Sequence, residues 1–270
     1  MQKTITAFVL IFFLICASST IGRTEMRPVP KYRAGIPPFE VLTNILETNR
    51  VDSGHTAKKT KNRGPCLTWL ADADARLQTQ SILQNRINQI FSVRNLGNQL
   101  LLSGGAVDYG VRYLHTPVLL ITGVSDSKSI EAFVDGYDFL TPDIRHDLDH
   151  LHRPLTSKKQ QTKTKKKLLL DYVEDNIDFQ VTQAVLRYGD RIKSGRLAVI
   201  GSVFDSTNSY DKGINKLIII NVNGEKDEKK LKRLKLMSML DKNLLQYVVR
   251  NKKAGGRSQK TEDGTEDFRF

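Results

Sequence analysis

Residues 118–133, VLLITGVSDSKSIEAF, decide the fold. Val118 to Thr122 are apolar or neutral and lead into Gly123. A short polar loop follows, Val124 to Lys128. Ser129 then opens a run with Ile130, Phe133 and Val134 at helical spacing. The pattern predicts a buried strand, a tight turn and an amphipathic helix. In open parallel α/β sheets, chemistry sits at such strand-to-helix turns. Upstream, Leu67 to Arg76, LTWLADADAR, reads as a second strand running into a loop, and Phe91 to Leu100, FSVRNLGNQL, lies between the two. The functional site is expected where these three stretches meet.

Working outward, Phe39 to Asn49 reads as a helix and Val51 to Gly64 as a solvated loop carrying Lys58, Lys59 and Lys61. Leu67 to Ala71 and Phe91 to Arg94 are the first two strands, with Gln78 to Ile90 partly helical between them. Gly104 and Gly105 break the chain before a helix over Ala106 to Leu114. Ser157 to Lys167, SKKQQTKTKKK, is a basic loop feeding a helix over Leu168 to Tyr188. Arg196 to Phe204 is the next strand. Lys216 to Val222 closes the sheet as an antiparallel strand near its edge, ended by Asn223-Gly224. Lys226 to Arg250 reads as one basic amphipathic helix with Leu231, Leu234, Met237, Leu240, Leu244 and Val248 on a face. The crossovers argue for an α/β fold, a mostly parallel central sheet flanked by helices.

The 270 residues allow one such domain, over 39–250, with appendages. Met1 to Gly22 carries one charge, Lys3, and an apolar run from Ala7 to Ala17, followed by small residues. That run is short for a bilayer span and reads as a signal peptide, so the mature chain is expected to be secreted or periplasmic, without a transmembrane span. Arg23 to Pro38 carries four of the eight prolines and reads as an extended arm; residues 251–270 are polar and expected to be disordered. Of the two cysteines, Cys16 lies inside the signal segment. Cys66 is then alone and reads as a small buried hydrophobe. A net charge of +13 would attract anionic surfaces through the basic runs. No nucleic-acid motif accompanies it, so no specific nucleic-acid partner is expected.

His146 and His150 in RHDLDHLHR are four residues apart, with Asp149 and His152 near. That spacing suits a transition metal, but no Glu stands beside the first His. The segment is charged throughout and reads as a solvated helix end.

Val93-Arg94-Asn95-Leu96-Gly97-Asn98 closely matches the V-R-N-A-G-N motif of the β-class carbonic anhydrases, and the chain resembles that family from about Pro37 to Gly224. Tyr109 to Leu114, then Thr116-Pro117 and the strand, fit the family's approach to its zinc site. Glu174, Asn176, Ile177, Gln180 and Val181 match its E-x-N-V-x-x-Q-V helix, and Asp205 with Gly213 its Y-D-x-x-x-G turn. The resemblance implies zinc held by the Cys of C-x-D-S-R and by the His and Cys of G-H-x-x-C. Setting Asp74-Ala75-Arg76 on D-S-R puts Asp72 on the first ligand. Gly123 matches the Gly, so Val124 stands on the His and Ser127 on the second Cys. All three positions are changed, and zinc, the family's cofactor, is expected to be absent.

The family's Asp-Arg pair, which orients the zinc-bound hydroxide, survives as Asp74 and Arg76. The surrounding pocket is expected to comprise Gly123, Asp126, Lys128, Asn95 and Gly97. Lys128 is expected to reach inward as a cation for Asp72, with Arg76 on Asp74. Two function classes follow. One is a zinc-less pseudoenzyme with a binding or structural role, assembled as a dimer or higher oligomer. The alternative is an active carbonic anhydrase with an atypical metal or metal-free site, for example with Asp72, Asp74 and Asp126 around a hard cation.

Overall fold

The computed structural model describes residues 37–47, 64–83, 89–155 and 165–250, with side chains in the last stretch from 168 onward. The signal segment, the Lys-rich loop, the C-terminal tail, and nearly all of the arm and the 157–167 basic run lie outside the described residues. The helices are α1 (Pro38–Glu47), α2 (Gly104–Asp108), α3 (Lys128–Asp135), α4 (Pro142–Asp149), α5 (His152–Leu155), α6 (Lys165–Lys193), α7 (Glu228–Arg233) and α8 (Lys235–Ser238). The strands are β1 (Leu67–Asp72), β2 (Ile90–Asn95), β3 (Val118–Val124), β4 (Ala198–Asp205) and β5 (Lys216–Val222), in spatial order β2-β1-β3-β4-β5. Neighbours run parallel from β2 to β4, and β5 joins β4 antiparallel at the edge.

Every residue of β1, β3 and β4 is buried. That is why these strands read as largely apolar runs rather than alternating ones: helices cover both faces of a parallel sheet. A chain of buried polar groups crosses the three strands, with Trp69 Nε1 donating to Thr122 Oγ1 at 2.9 Å and Thr122 and Ser202 hydroxyls 2.9 Å apart. The α1 face of Val41, Leu42, Ile45 and Leu46 is spent in the same core.

Three elements differ from the sequence expectation. β3 does not end at a turn on Gly123; Gly123 and Val124 pair with Val203 and Phe204 inside the strand. Gly123 is small because α6 lies on it: a Cβ there would stand 3.0 Å from Val173 Cγ1 and 3.2 Å from Ile177 Cδ1. Gly104 and Gly105 form the first turn of α2, which then widens into one π turn, Tyr109–Tyr113. The expected helix over Lys226–Arg250 is broken into α7, α8 and a 3-10 turn at Leu244–Tyr247. Leu234 is extended there (φ −57°, ψ 142°), and the segment folds back until Val248 bridges to Ile219 of β5. A straight helix of that length would run about 37 Å and leave the sheet edge bare. Arg250 secures the return, with Nη2 3.1 Å from Glu174 Oε2 and 3.0 Å from Asp178 Oδ2.

Helix α6 also meets β4 at Gly201, where a Cβ would stand 2.7 Å from Ile177 Cγ2 and 2.9 Å from Val181 Cγ2. Gly201→Ala is expected to lower unfolding free energy by about 1–3 kcal/mol through overpacking. Urea titration of the purified variant checks this, and an unchanged midpoint would show that α6 can move off the sheet without cost.

Candidate functional site

The β1 and β3 ends and the turn after β2 meet at one carboxylate. Asp72 closes β1, lies opposite Asn95 in register, and is 2% exposed. Three neutral groups donate to it. Gly97 N reaches Oδ1 at 2.9 Å, Ser127 Oγ reaches Oδ2 at 2.5 Å, and Ser129 Oγ lies 2.9 Å from Oδ1 and 3.1 Å from Oδ2. Each donor has a local cause. Gly97 takes a left-handed conformation (φ +72°), and a Cβ would stand 2.9 Å from Leu151 Cδ2, so only glycine fits the turn. Asn95 shapes that turn from within, accepting from Gln99 N at 2.6 Å and donating to Gln99 O at 2.7 Å. Ser127 is the N-cap of α3 and also accepts from Ile130 N at 3.3 Å. The positive end of the α3 dipole therefore faces Asp72.

Burial pushes the Asp72 carboxyl above the ordinary carboxylate range; the donors from Ser127, Gly97 and Ser129 oppose that rise without cancelling it. Among the described residues, no cation is paired with it. Lys128 does not turn inward: its side chain is 75% exposed and pairs with Glu131 Oε2 at 2.7 Å. The residue sits at the first position of α3, on the outer side, and an i,i+3 partner in water costs less than burying an ammonium. The expected Lys128–Asp72 bridge is thus replaced by hydroxyls and one amide.

The second expected pair is present. Arg76 holds Asp74 through Nε to Oδ1 at 2.9 Å and Nη2 to Oδ2 at 2.6 Å. The same guanidinium also holds Asp126, Nη1 lying 2.7 Å from Oδ1 and 2.9 Å from Oδ2. Ser206 donates to Asp126 and accepts from Arg76 Nη1 at 3.2 Å. Arg76 holds Asp74 below the usual carboxylate range. For Asp126, burial works upward but Arg76 and Ser206 outweigh it, so that carboxyl is also low. Ser125 extends the network, its hydroxyl 3.1 Å from those of both Ser206 and Thr207.

The sequence reading missed Ser125, Ser129 and Ser206. A signal existed for the first two: in Ser125-Asp126-Ser127-Lys128-Ser129 serine alternates with a charged residue, and the structure buries all three serines.

The donor set does not fit zinc. Val124 is fully buried and has no donor atom. The Ser127 proton is committed to Asp72, and both Asp72 oxygens are engaged. Nor do Asp72, Asp74 and Asp126 gather around one point, because Arg76 stands between the last two. Among the described residues, no group of three or more His, Cys, Asp or Glu is placed to hold a metal ion. The histidine segment divides likewise. His146 meets His150 edge-on at 5.2 Å, while Asp149 and His152 both bind Tyr137 Oη, at 2.6 and 2.8 Å. Cys66 is buried, with its thiol 3.5 Å from Gln89 O.

The carbonic anhydrase family model matches residues 67–210, from the start of β1 to the loop after β4. The chain belongs to the β-carbonic anhydrase family. Solved structures agree in fold. A tetrameric β-carbonic anhydrase from the filamentous ascomycete Sordaria macrospora is 15% identical, covering 59% of this chain and 82% of its own, with a TM-score of 0.51. The Coccomyxa β-carbonic anhydrase, solved in complex with acetazolamide, is 17% identical over 68% of this chain and 82% of its own, with a TM-score of 0.51. No curated protein matches the chain.

Two outcomes check this geometry. A carboxyl raised by folding contributes stability that is present below its unfolded value, 3.8, and lost as pH rises through the folded value. Asp74 and Asp126, held low, act in the opposite direction. Asp72→Asn should therefore gain stability relative to wild type between about pH 4 and about pH 7.5 in urea titrations; a constant difference would contradict a raised Asp72. Lys128→Ala should leave the unfolding midpoint where it is, because the ammonium itself is solvent-exposed. A large drop in the midpoint would place the ammonium inside.

Proposed function

We propose that this chain is a secreted, zinc-less member of its family, in which the fold is kept for binding or structure and hydration of CO2 is lost. One observation carries the reading: Asp72, at the first ligand position of the motif alignment, has both oxygens engaged by Gly97, Ser127 and Ser129. Ser127, at another ligand position, is itself one of those donors. Zinc would have to break this cluster and would gain no donor from Val124.

A metal-free hydration route is not favoured. It needs a carboxylate base strong enough to activate water with a pKa near 15.7. The two carboxylates nearest solvent, Asp74 and Asp126, are instead weakened as bases by Arg76. Secretion rests on the apolar run Ala7 to Ala17 behind Lys3. Assembly as a dimer or larger is supported by the tetrameric relative from Sordaria macrospora. It is also supported by exposed aromatics, Phe139 at 83% and the stacked pair Tyr109 and Tyr113. The apolar face of α1 gives no such support, being used in the chain's own core.

The purified mature protein is expected to hold no stoichiometric zinc by elemental analysis and to show no CO2 hydration above buffer in stopped flow. One tightly bound zinc per chain, or a hydration rate above buffer, would overturn the reading. Light scattering at micromolar concentration is expected to give at least a dimer; a monomer would remove the assembly part alone.

A further inference from the structure

A cavity of about 320 Å³ opens where the turn after β2 meets α6 and the segment joining α4 to α5. Its volume lies at the low end for small-molecule sites. Gln99 and Gln180 fix its floor, Gln99 Nε2 donating to Asp147 O at 2.8 Å and Leu100 N donating to Gln180 Oε1 at 2.9 Å. Its wall mixes cations with apolar surface. Arg153 and Arg187 contribute the former, Phe179, Leu101 and Leu186 the latter; His150 also lines it, and no Asp or Glu does among the described residues. Leu101 is 60% and Leu186 75% exposed at the rim.

The cations are not equivalent. Arg187 is already paired with Asp108, through Nε to Oδ1 at 2.9 Å and through Nη2 to Oδ2, and Tyr188 donates to the same carboxylate at 2.8 Å. Arg153 has no carboxylate within salt-bridge reach among the described residues. The wall therefore offers about one uncompensated guanidinium beside an apolar surface. An inorganic polyanion would leave that apolar wall unused, and a neutral apolar ligand would leave Arg153 unpaired.

We propose that this cavity binds a small organic monoanion, a carboxylate on an apolar body, with the carboxylate on Arg153 and the body against Phe179, Leu101 and Leu186. This site is separate from the Asp72 cluster and does not rest on the loss of hydration. Benzoate is the probe, benzyl alcohol and inorganic phosphate are its controls, and the full mature chain is the sample. Amide chemical-shift titration should show saturable benzoate binding in the millimolar range, with shifts centred on Gln99, Arg153 and Gln183. Benzyl alcohol should bind at least about tenfold more weakly, the scale of one lost charged hydrogen bond, and phosphate at least about tenfold more weakly because it leaves the apolar wall unused. Arg153→Gln should weaken benzoate by a similar factor at unchanged melting temperature. The proposal is overturned by any of four results: no saturation, shifts centred elsewhere, benzyl alcohol or phosphate binding as tightly as benzoate, or Arg153→Gln binding like wild type. Leu186→Asp, on the exposed rim, is a second variant that should weaken benzoate if Arg153→Gln fails to fold.

Discussion

The carboxylate of Asp72 joins three separate chain segments, and it does so with hydrogen bonds alone. The end of β1 supplies the acceptor, the turn after β2 supplies the Gly97 amide, and the start of α3 supplies Ser127 and Ser129. Hydrogen bonds to a charged group contribute about 1.5–3 kcal/mol each, and a helix N-terminus adds about 0.3–1 kcal/mol. Removing one donor leaves a buried carboxylate short of a partner, which costs more than an ordinary exposed bond. The geometry of this corner of the sheet therefore depends on small polar groups being present together.

Around that cluster the charges are arranged in layers. Inside is one carboxylate with neutral donors. Outside it, Arg76 neutralises Asp74 and Asp126 at the solvent edge. Lys128 and Glu131 pair on the surface of α3. The retained Asp74–Arg76 pair, read as half of a catalytic apparatus, is in this chain one side of a three-residue bridge from the loop after β1 to the loop after β3. That bridge gives the pair a structural role of its own, tying the two loops together at the solvent edge.

How much was legible follows from which signals are local. The strands could be read because helices bury them on both faces, leaving runs such as Val118–Ile121 and Leu217–Ile220 without polar interruption. The long helix and the antiparallel edge strand were readable from the apolar pattern, and the Asp74–Arg76 pair from the family resemblance. The fate of Lys128 was not, because an ammonium on a four-carbon stem reaches inward or outward from the same backbone position. Only the presence of Glu131 one turn on and of Ser129 facing Asp72 decides it. The broken C-terminal segment was illegible for a related reason. Its apolar residues keep helical spacing, but the partner that bends them, Ile219 of β5, is distant in sequence.

The cluster also constrains how this chain relates to catalysis by its family. Restoring a thiol at Ser127 alone would exchange a strong hydroxyl donor for a weak S–H donor beside a buried carboxylate. Restoring a thiol at Asp72 alone would take the acceptor from two buried serines and from the Gly97 amide. Replacing Val124 by His alone would put a polar ring at a fully buried strand position packed among apolar side chains. Each single step weakens the hydrogen-bonded arrangement before any metal could be held, since zinc needs several soft or imidazole donors at once. The metal-bearing and hydrogen-bonded versions of this corner are thus alternatives separated by simultaneous changes at β1, β3 and α3. The hydrogen-bonded version resists single substitutions because each of its groups is already engaged by another.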